Sequence, residues 1–296
     1  MRRWVWMMAA GAAVLLARIS TAQVRTPFEL DYEEPENVYL PPQGPTPDQL
    51  TNQGGVHFSL DTTYLSTYMY RGVDQSTPPI RNEHALQFDG RLDFDLGKLP
   101  HPFIGVFSNI FNHDPVSRFE EVRPYGGVAW TIRPITVAGG FNAYIFPNRT
   151  GKDTQEGWMS ITVDDSRLWH TERPFLQPYV YGAYDFVKYH GFYLEGGIRH
   201  DFVFGNSGVV LSAIGDFAYV SHDHYFTGTG PNAESTGFQH YDGGVELSYD
   251  LDTLFNVPRR FGTWQVKGYL FYTGSVQSTL LADNRLWGGV GIDFSY

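Results

Sequence analysis

The chain has 296 residues, no cysteine and a formal net charge of −11, with 32 acidic residues against 21 basic ones. The missing cysteine excludes disulfides, thiolate metal sites and a cysteine nucleophile, and the acidic balance without any basic run excludes nucleic acid as a natural partner. Aromatic residues reach 16 % of the chain, whereas the hydrophobic content of 42 % is ordinary.

Residues 1–22 have the pattern of a secretory signal peptide. Arg2 and Arg3 form a charged start, a short apolar stretch follows, and Ser20 and Ala22 are the small residues expected before a cleavage point. The apolar stretch is too short to span a membrane comfortably. We therefore expect cleavage after Ala22.

Residues 23–54 differ in composition from the rest of the chain. Prolines alternate there with acidic residues at a density that cannot form a packed core. This composition predicts an extended periplasmic linker that is disordered. A contact with peptidoglycan or with a partner protein is the alternative.

From residue 55 to the end, apolar and polar residues alternate with the period of two that marks a β-strand with different environments on its two faces. Twelve such segments can be counted, the first at about 56–72 and the last at 286–296. In the last one, the apolar phase is Leu286, Gly288, Val290, Ile292, Phe294 and Tyr296, and the other phase contains Asp293. The links between segments alternate between long polar ones and mostly short ones, although 165–174 and 251–261 are long for the short class.

Charges are confined to one phase of these twelve segments. The other phase carries no Asp, Glu, Lys or Arg. The charged phase contains ten acids and five bases: Asp61, Asp89, Asp93, Asp95, Glu195, Asp201, Asp216, Asp242, Glu246, Asp293, Arg71, Arg91, Arg123, Arg199 and Lys267. A soluble sandwich would also segregate its charges. Aromatics near the ends of the apolar phase, however, are typical of interfacial girdles: Tyr68, Tyr70, Phe94, Trp264, Tyr272, Phe294 and Tyr296.

The pattern therefore predicts an all-β fold, a closed antiparallel transmembrane β-barrel of about 12 strands with up-and-down meander topology over residues 55–296, in the bacterial outer membrane. The 286–296 strand is expected to pair with the first strand, with Asp293 inward and with Phe294 and Tyr296 facing lipid at the periplasmic rim. The terminal aromatic resembles the assembly signal of outer-membrane proteins, so Phe294 and Tyr296 are expected to contact the barrel-assembly machinery.

Four short motifs are found in the first half of the chain: the stretch 70–76 (Tyr-Arg-Gly-Val-Asp-Gln-Ser), the stretch 105–109, the residues Glu120, Glu121 and Tyr125–Gly127, and the stretch 144–147. Together they resemble motifs of the TorF-like porin family. The motifs fall within residues 56–150, while the second half of the chain is similar only in its strand rhythm. The resemblance implies an outer-membrane barrel with a pore, and it implies neither a catalytic residue nor a particular solute.

We predict a porin-like barrel without enzymatic activity that allows passive diffusion of small hydrophilic solutes. The expected pore-lining residues are Asp61, Arg71, Asp89, Arg91, Asp93, Glu195, Arg199, Asp242, Glu246 and Lys267. Because acids outnumber bases, a mild cation preference is expected. For Arg71, steering of solutes and pairing with acids of neighbouring strands both remain open. Inward Tyr179, Tyr181, Tyr193 and Trp287 could also close the lumen.

Two other functions remain open, a closed structural barrel without conductance and a barrel enzyme that modifies lipids. For the enzyme, Ser66 and Ser108 with His84 and His200 supply the residue types of a hydrolase, but the sequence does not join them. The cluster formed by His222, Asp223, His224 and His240 has no spacing that fixes a metal site, so we expect a solvated loop, no metal and no cofactor.

Overall fold

The computed structural model describes residues 55–75, 84–111, 120–147, 151–171, 173–205, 207–228, 232–255, 257–258 and 261–296. The expected signal peptide (1–22) and linker (23–54) lie outside the described residues. No helix within the described ranges is long and apolar enough to cross a membrane.

Twelve antiparallel strands close into one barrel, as the sequence predicts. The strands are β1 (Val56–Leu65), β2 (Ala85–Phe94), β3 (His101–Phe111), β4 (Glu121–Ile132), β5 (Ile135–Tyr144), β6 (Thr154–Val163), β7 (Tyr179–Asp185), β8 (Phe192–Val203), β9 (Val209–Ser221), β10 (Gly237–Asp250), β11 (Thr263–Ser275) and β12 (Arg285–Ser295). Each strand pairs with its neighbours in sequence, and β12 pairs with β1.

The last strand closes the barrel in the predicted register. Leu60 lies opposite Phe294 and Asp61 lies opposite Asp293. The backbone N–H of Phe58 donates to the carbonyl oxygen of Tyr296, and the reverse bond is also made, both at 2.8 Å. Since both termini of the barrel lie at this end, we call it the periplasmic end and the opposite one the outer end.

The outer surface of the barrel is apolar because every strand turns its charge-free phase outward. In β1, for example, Val56, Phe58, Leu60 and Tyr64 are exposed, whereas Asp61 between them is buried. The predicted aromatics Trp264, Tyr272 and Tyr296 are exposed on the same surface. An apolar band on the outer surface around a polar interior is the arrangement of a barrel that spans the bacterial outer membrane.

The first strand is shorter than predicted. It ends at Leu65 instead of residue 72, and the chain then turns into the barrel, where Met69–Tyr70 pairs with Val73–Asp74. The expectation that Tyr68 and Tyr70 face lipid is therefore wrong. Arg71 and Gly72 form the turn with φ angles of 47° and 75°, and this left-handed backbone reverses the chain. We call residues 66–75 the inner hairpin.

The two long periplasmic links contain short helices, which accounts for their length. Helix α1 (Ser166–Trp169) lies between β6 and β7, and helix α2 (Leu251–Phe255) lies between β10 and β11. The Asp165 carboxylate holds the first link together by accepting backbone N–H groups of Phe175, Leu176 and Gln177 at 2.7, 2.9 and 3.2 Å.

Candidate functional site in the barrel lumen

The inner hairpin is fixed in the outer half of the lumen by a buried ion pair between Arg71 and Glu156. Nη1 and Nη2 of Arg71 donate to the two carboxylate oxygens of Glu156, both at 2.9 Å. Nη2 also donates to the hydroxyl of Tyr181 at 2.8 Å. The guanidinium group lies 4.3 Å from the ring centroid of Tyr193. A bidentate pair with aromatic stacking suits arginine because its planar group satisfies both contacts at once.

Glu156 is almost saturated with hydrogen bonds. Besides Arg71, its carboxylate accepts from Nδ2 of Asn142 at 2.8 Å and from the hydroxyl of Tyr144 at 2.6 Å. The ion pair therefore crosses the lumen, with one member at the tip of the inner hairpin and the other on the wall. The side chains of Arg71 and Glu156 are 5 % and 3 % exposed. Such a pair holds the hairpin in one orientation because breaking it leaves a charge buried.

A second buried ion pair supports the base of the inner hairpin. Nη2 of Arg123 on β4 lies 2.7 Å from Oε1 of Glu121. The hydroxyl of Tyr68 accepts from Arg123 at 2.9 Å and donates to Glu121 at 2.9 Å. Tyr68 thus completes the hydrogen bonding of both charged groups from inside the lumen. This contact explains why an aromatic residue of the hairpin is buried instead of facing lipid.

The outer loops fold over the inner hairpin. Nε2 of Gln239 donates to the carbonyl oxygens of Arg71 and Leu281 at 2.8 and 2.9 Å. The backbone N–H of Asp283 donates to the carbonyl oxygen of Gly72 at 2.8 Å. The hydroxyl of Tyr225 donates to Oε1 of Gln75 at 2.8 Å. A cavity of about 40 Å³ remains between the hairpin, the wall and these loops.

The periplasmic half of the lumen is more accessible. Arg91 pairs with Asp93, whose side chain is 32 % exposed. Arg199 pairs with Asp201 and Glu246, both at 2.9 Å, and the Asp201 side chain is 39 % exposed. The lumen therefore consists of a more exposed part at the periplasmic end, which we call the vestibule, and a packed, hydrogen-bonded outer half.

A lysine joins the two strands that close the barrel. Nζ of Lys267 lies 3.0 Å from Oδ2 of Asp61 on β1, and it also pairs with Asp293 on β12. The hydroxyl of Thr63 donates to Asp61 at 2.6 Å. All these groups face inward, as predicted for Asp61, Asp293 and Lys267.

A further group of polar residues lies on the wall formed by β8, β9 and β10. Glu195 accepts from the hydroxyls of Tyr179 and Tyr193 at 2.7 and 2.5 Å. Close by, Asp216, His240 and Asp242 each offer one ligand atom, and these atoms lie within 4.8 Å of one another. The hydroxyl of Thr273 donates to Asp242.

The ten residues predicted to line the pore divide between these groups, but their roles as pore-lining groups remain a prediction. Arg71 forms an ion pair, but its partner Glu156 lies across the lumen on β6 and not on a strand next to β1. Asp89 accepts from the hydroxyl of Tyr125 at 2.7 Å. The inward aromatics Tyr181, Tyr193 and Trp287 are fully buried.

Glu156 is the principal site residue that the sequence analysis missed. The sequence pattern predicts a polar link at 147–156 that contains Glu156, but β6 already begins at Thr154. The available signal was its alternation with Trp158 and Ser160, which continues the inward phase of β6 by one step.

Two carboxylates outside the strands have shifted pKa values. In the outer loop, burial raises the pKa of Asp223, although a backbone hydrogen bond from Tyr225 and the charge of Arg71 oppose the shift. In the periplasmic link, burial acts on Asp165 in the same direction. The backbone N–H bonds from Leu176, Phe175 and Gln177 outweigh it, so the pKa of Asp165 is lowered.

The residue types considered for lipid hydrolysis do not form a hydrogen-bonded pair among the described residues. Ser108 on β3 and His200 on β8 lie on distant strands. Leu65 and Ala85 are the last pair of the ladder between β1 and β2, so Ser66 and His84 follow directly after the paired residues. The ring of His84 stacks on Tyr64 with an interplanar angle of 7°, and its Nδ1 atom has no hydrogen-bond partner.

The four residues considered as a loop metal cluster are separated in the structure. Asp223 caps the short 3₁₀ helix His224–Phe226, and the ring of His222 is bonded to Ser221 at 3.0 Å. His240 instead faces the lumen beside Asp242.

No protein-family model and no curated protein matches the chain. Solved structures of outer-membrane barrels are similar at low identity. A KdgM porin matches at 11 % identity with a TM-score of 0.44, over 80 % of this chain and 99 % of that one. An outer-membrane channel from Pseudomonas putida F1 matches at 8 % identity with a TM-score of 0.44, over 85 % and 98 %. Outer-membrane phospholipase A from Escherichia coli matches at 14 % identity with a TM-score of 0.40, over 81 % and 95 %.

Proposed function

We propose that this chain is a porin-like channel for small hydrophilic solutes and that the inner hairpin closes its outer half. The observation that carries the proposal is the difference in exposure along the lumen. Charged side chains of the periplasmic vestibule, such as Asp93 and Asp201, are partly exposed, whereas Arg71 and Glu156 around the hairpin are buried. Solutes would diffuse through the vestibule and pass the outer half only when the hairpin is released.

The polar wall supports a passive mechanism. The vestibule presents the charged groups of Arg91, Asp93, Arg199 and Asp201 to a passing solute. Conduction requires that a solute bind weakly enough to leave. Because inward acids outnumber inward bases, the field in the vestibule favours cations. Selectivity would thus depend on charge and on the width left by the hairpin.

Membership of the TorF-like porin family is part of this proposal. The motifs that resemble the family meet around one group, the guanidinium of Arg123. Glu121 pairs with it, Phe107 lies below it at 4.6 Å, and Tyr144 lies 4.7 Å away. Tyr70 of the inner hairpin donates its hydroxyl to Tyr144 at 2.9 Å. The motifs are distant in sequence but join the hairpin to the wall, so they support a shared hairpin arrangement.

Single-channel recording in planar bilayers tests the proposal. The wild type is expected to open rarely, because opening must break the buried pair between Arg71 and Glu156. Arg71→Ala and Glu156→Gln should both open more often, and both should show the larger conductance of an unblocked lumen. Arg133→Ala removes an exposed arginine from a periplasmic turn and serves as the control. A barrel that stays closed after residues 67–74 are replaced by a short glycine-serine linker would instead be a structural barrel.

The cation preference has its own measurement, the reversal potential in a KCl gradient. A cation-selective potential is expected for the Arg71→Ala channel, and Asp93→Asn in that background should move it towards anions because the charge of Arg91 is then uncompensated. Anion selectivity of the channel with Asp93 intact would contradict the charge argument.

Lipid hydrolysis is the second candidate, and the observation that favours it is the ring of His84, which stacks on the exposed Tyr64 and has an Nδ1 atom without a hydrogen-bond partner. A serine activated by a neighbouring histidine can attack an ester in the adjacent lipid. Release of fatty acid from phospholipid vesicles by the wild type, and its loss in Ser66→Ala, would establish this activity. Release that Ser66→Ala does not alter would exclude it.

A further inference from the structure

A β-bulge on β10 places two consecutive side chains inside the barrel. Phe217 lies opposite Tyr241, but two residues further along β9, Tyr219 lies opposite Phe238. β10 therefore contains one residue more than β9 over this interval. As a result, Gln239 and His240 are both buried in the lumen instead of alternating, at 0 % and 1 % exposure. Bulges are a common means of directing a side chain towards a functional site.

The hydrogen bonds of Gln239 determine which nitrogen of His240 carries a proton. The amide nitrogen of Gln239 donates to two carbonyl oxygens, those of Arg71 and Leu281. Its amide oxygen must then be the atom that faces Nδ1 of His240 at 3.1 Å. Since a carbonyl oxygen can only accept, Nδ1 is the donor. In the neutral ring, Nε2 therefore carries the lone pair.

That lone pair faces an acceptor. Nε2 of His240 lies 3.3 Å from Oδ2 of Asp242. Two acceptors at this distance repel each other unless a positive charge lies between them or next to both. The same carboxylate is directly opposite Asp216 in the strand register, and like charges at such a position are destabilising. Oδ1 of Asp216 is enclosed and has no hydrogen-bond partner.

Three basic side chains of the lumen form ion pairs with carboxylates other than those of Asp216 and Asp242. Arg71 binds Glu156, Arg199 binds Asp201 and Glu246, and Lys267 binds Asp61 and Asp293. Buried carboxylates need a compensating charge. At Asp216 and Asp242, the neighbouring group is the imidazole of His240, and one ligand atom of each of the three side chains lies within 4.8 Å of the others.

We propose that Asp216, His240 and Asp242 bind one divalent transition-metal ion, for which Zn²⁺ is the reference. Two carboxylate oxygens and an imidazole nitrogen are a common donor set for zinc, with a fourth position left for water. The bond from Nδ1 of His240 to Gln239 is the outer contact that metal-binding histidines usually make, since it aims Nε2 at the metal. The site does not depend on the proposed channel function.

Metal binding to the purified full-length barrel in detergent tests this proposal. The protein carries a tag without histidine, is stripped with a chelator and is titrated with Zn²⁺ by calorimetry and with Co²⁺ by visible absorption. One ion per chain is expected, with the absorption of a low-symmetry Co²⁺ site. Asp216→Asn and His240→Gln should each lose this stoichiometric binding. Gln239→Leu removes the outer contact of His240 together with the two bonds to the carbonyl oxygens of Arg71 and Leu281, and it should weaken binding about 10- to 100-fold without abolishing it.

His222→Gln is the matched control, because His222 is an exposed histidine of the adjacent loop. Each variant is first checked for barrel folding by its mobility with and without heating. The Asp216→Asn variant keeps the shape of the side chain, so it tests the site even where His240→Gln does not fold. Absence of stoichiometric binding in the wild type would overturn the proposal and leave a proton as the compensating charge. Binding that all variants retain would overturn it as well.

Discussion

A methyl group placed on Gly72 would lie 2.5 Å from Cγ of the His240 ring. The turn of the inner hairpin and the bulge of β10 are therefore in direct contact, with no space between them. Since Gly72 also has a φ of 75°, only glycine satisfies both the backbone and the packing at this position.

Gly72→Ala is expected to displace the inner hairpin. The substitution adds strain of roughly 1–3 kcal/mol from overpacking to a left-handed backbone that already disfavours alanine. Limited proteolysis of residues 66–75 should become faster, and the channel should open more often. Gly97→Ala is the control, because Gly97 has a φ of 69° but nothing within 4 Å of the added carbon. Equal effects of the two substitutions would contradict the importance of the contact.

Lys267→Met is expected to weaken the seam between β1 and β12. The substitution preserves much of the side-chain volume but leaves the buried Asp61 carboxylate and the half-buried Asp293 carboxylate without Lys267 between them. Breaking a buried ion pair in this way costs about 3–5 kcal/mol. Urea unfolding in detergent micelles measures the loss. Lys98→Met, at an exposed turn, should change stability by less than about 0.5 kcal/mol. Adding Asp61→Asn and Asp293→Asn to Lys267→Met should recover part of the stability.

Phe294 and Tyr296 are predicted to be needed for assembly in the outer membrane. The ring of Phe294 lies 4.6 Å from that of Trp264, and Tyr296 makes two backbone hydrogen bonds to Phe58. Phe294→Ala and removal of Tyr296 should lower the fraction of heat-modifiable barrel in cells, because they weaken the closing strand and remove the proposed recognition aromatic. Phe202→Ala removes an outward aromatic near the same end of β8 and should leave assembly unchanged.

The link between β6 and β7 is predicted to open in acid. The pKa of Asp165 is lowered in the folded state. Its contribution to stability is therefore complete above the unfolded pKa of about 3.9 and is lost as the pH falls through the lower, folded pKa. Hydrogen exchange of the amides of Phe175, Leu176 and Gln177 measures this. Their protection should persist at pH 5 and disappear well below pH 4.

Asp165→Asn should remove the same protection at neutral pH. Hydrogen bonds to a charged group are worth about 1.5–3 kcal/mol, so exchange should accelerate by roughly one to two orders of magnitude. Asp164→Asn is the neighbouring control, because the Asp164 carboxylate accepts the backbone N–H of Ser166 and not those of Phe175, Leu176 and Gln177. Unchanged exchange in Asp165→Asn would show that the carboxylate does not hold the link.

Strand alternation made the barrel predictable because lipid requires an apolar outward face on every strand. Val128, Trp130 and Ile132 could be placed outward from β4 alone, and closure by β12 followed from the same rule. Inside the lumen that requirement is absent. Tyr68 and Tyr70 read as girdle aromatics because their alternation continues that of β1, yet they pack against Glu121 and Tyr144, partners from distant strands.

The bulge at Gln239 and His240 was not predictable for a related reason. One extra residue shifts the alternation only locally, and Tyr241 still faces outward as the period-two pattern requires. The pairing of Arg71 with Glu156 likewise depends on a turn that brings residues 85 positions apart together across the barrel. Such contacts depend on three-dimensional proximity, which the hydrophobic period does not encode.

The inner hairpin satisfies part of its own backbone. Met69 pairs with Asp74, Tyr70 pairs with Val73, and the N–H of Gln75 donates to the carbonyl oxygen of Tyr68. Displacement of the segment would therefore not break the pairing of any barrel strand. What resists this movement is a small number of side-chain contacts and the two bonds that Gln239 and Asp283 make to its turn. A ligand that competes for the Arg71 guanidinium, such as a carboxylated solute in the vestibule, would act on the strongest of these attachments.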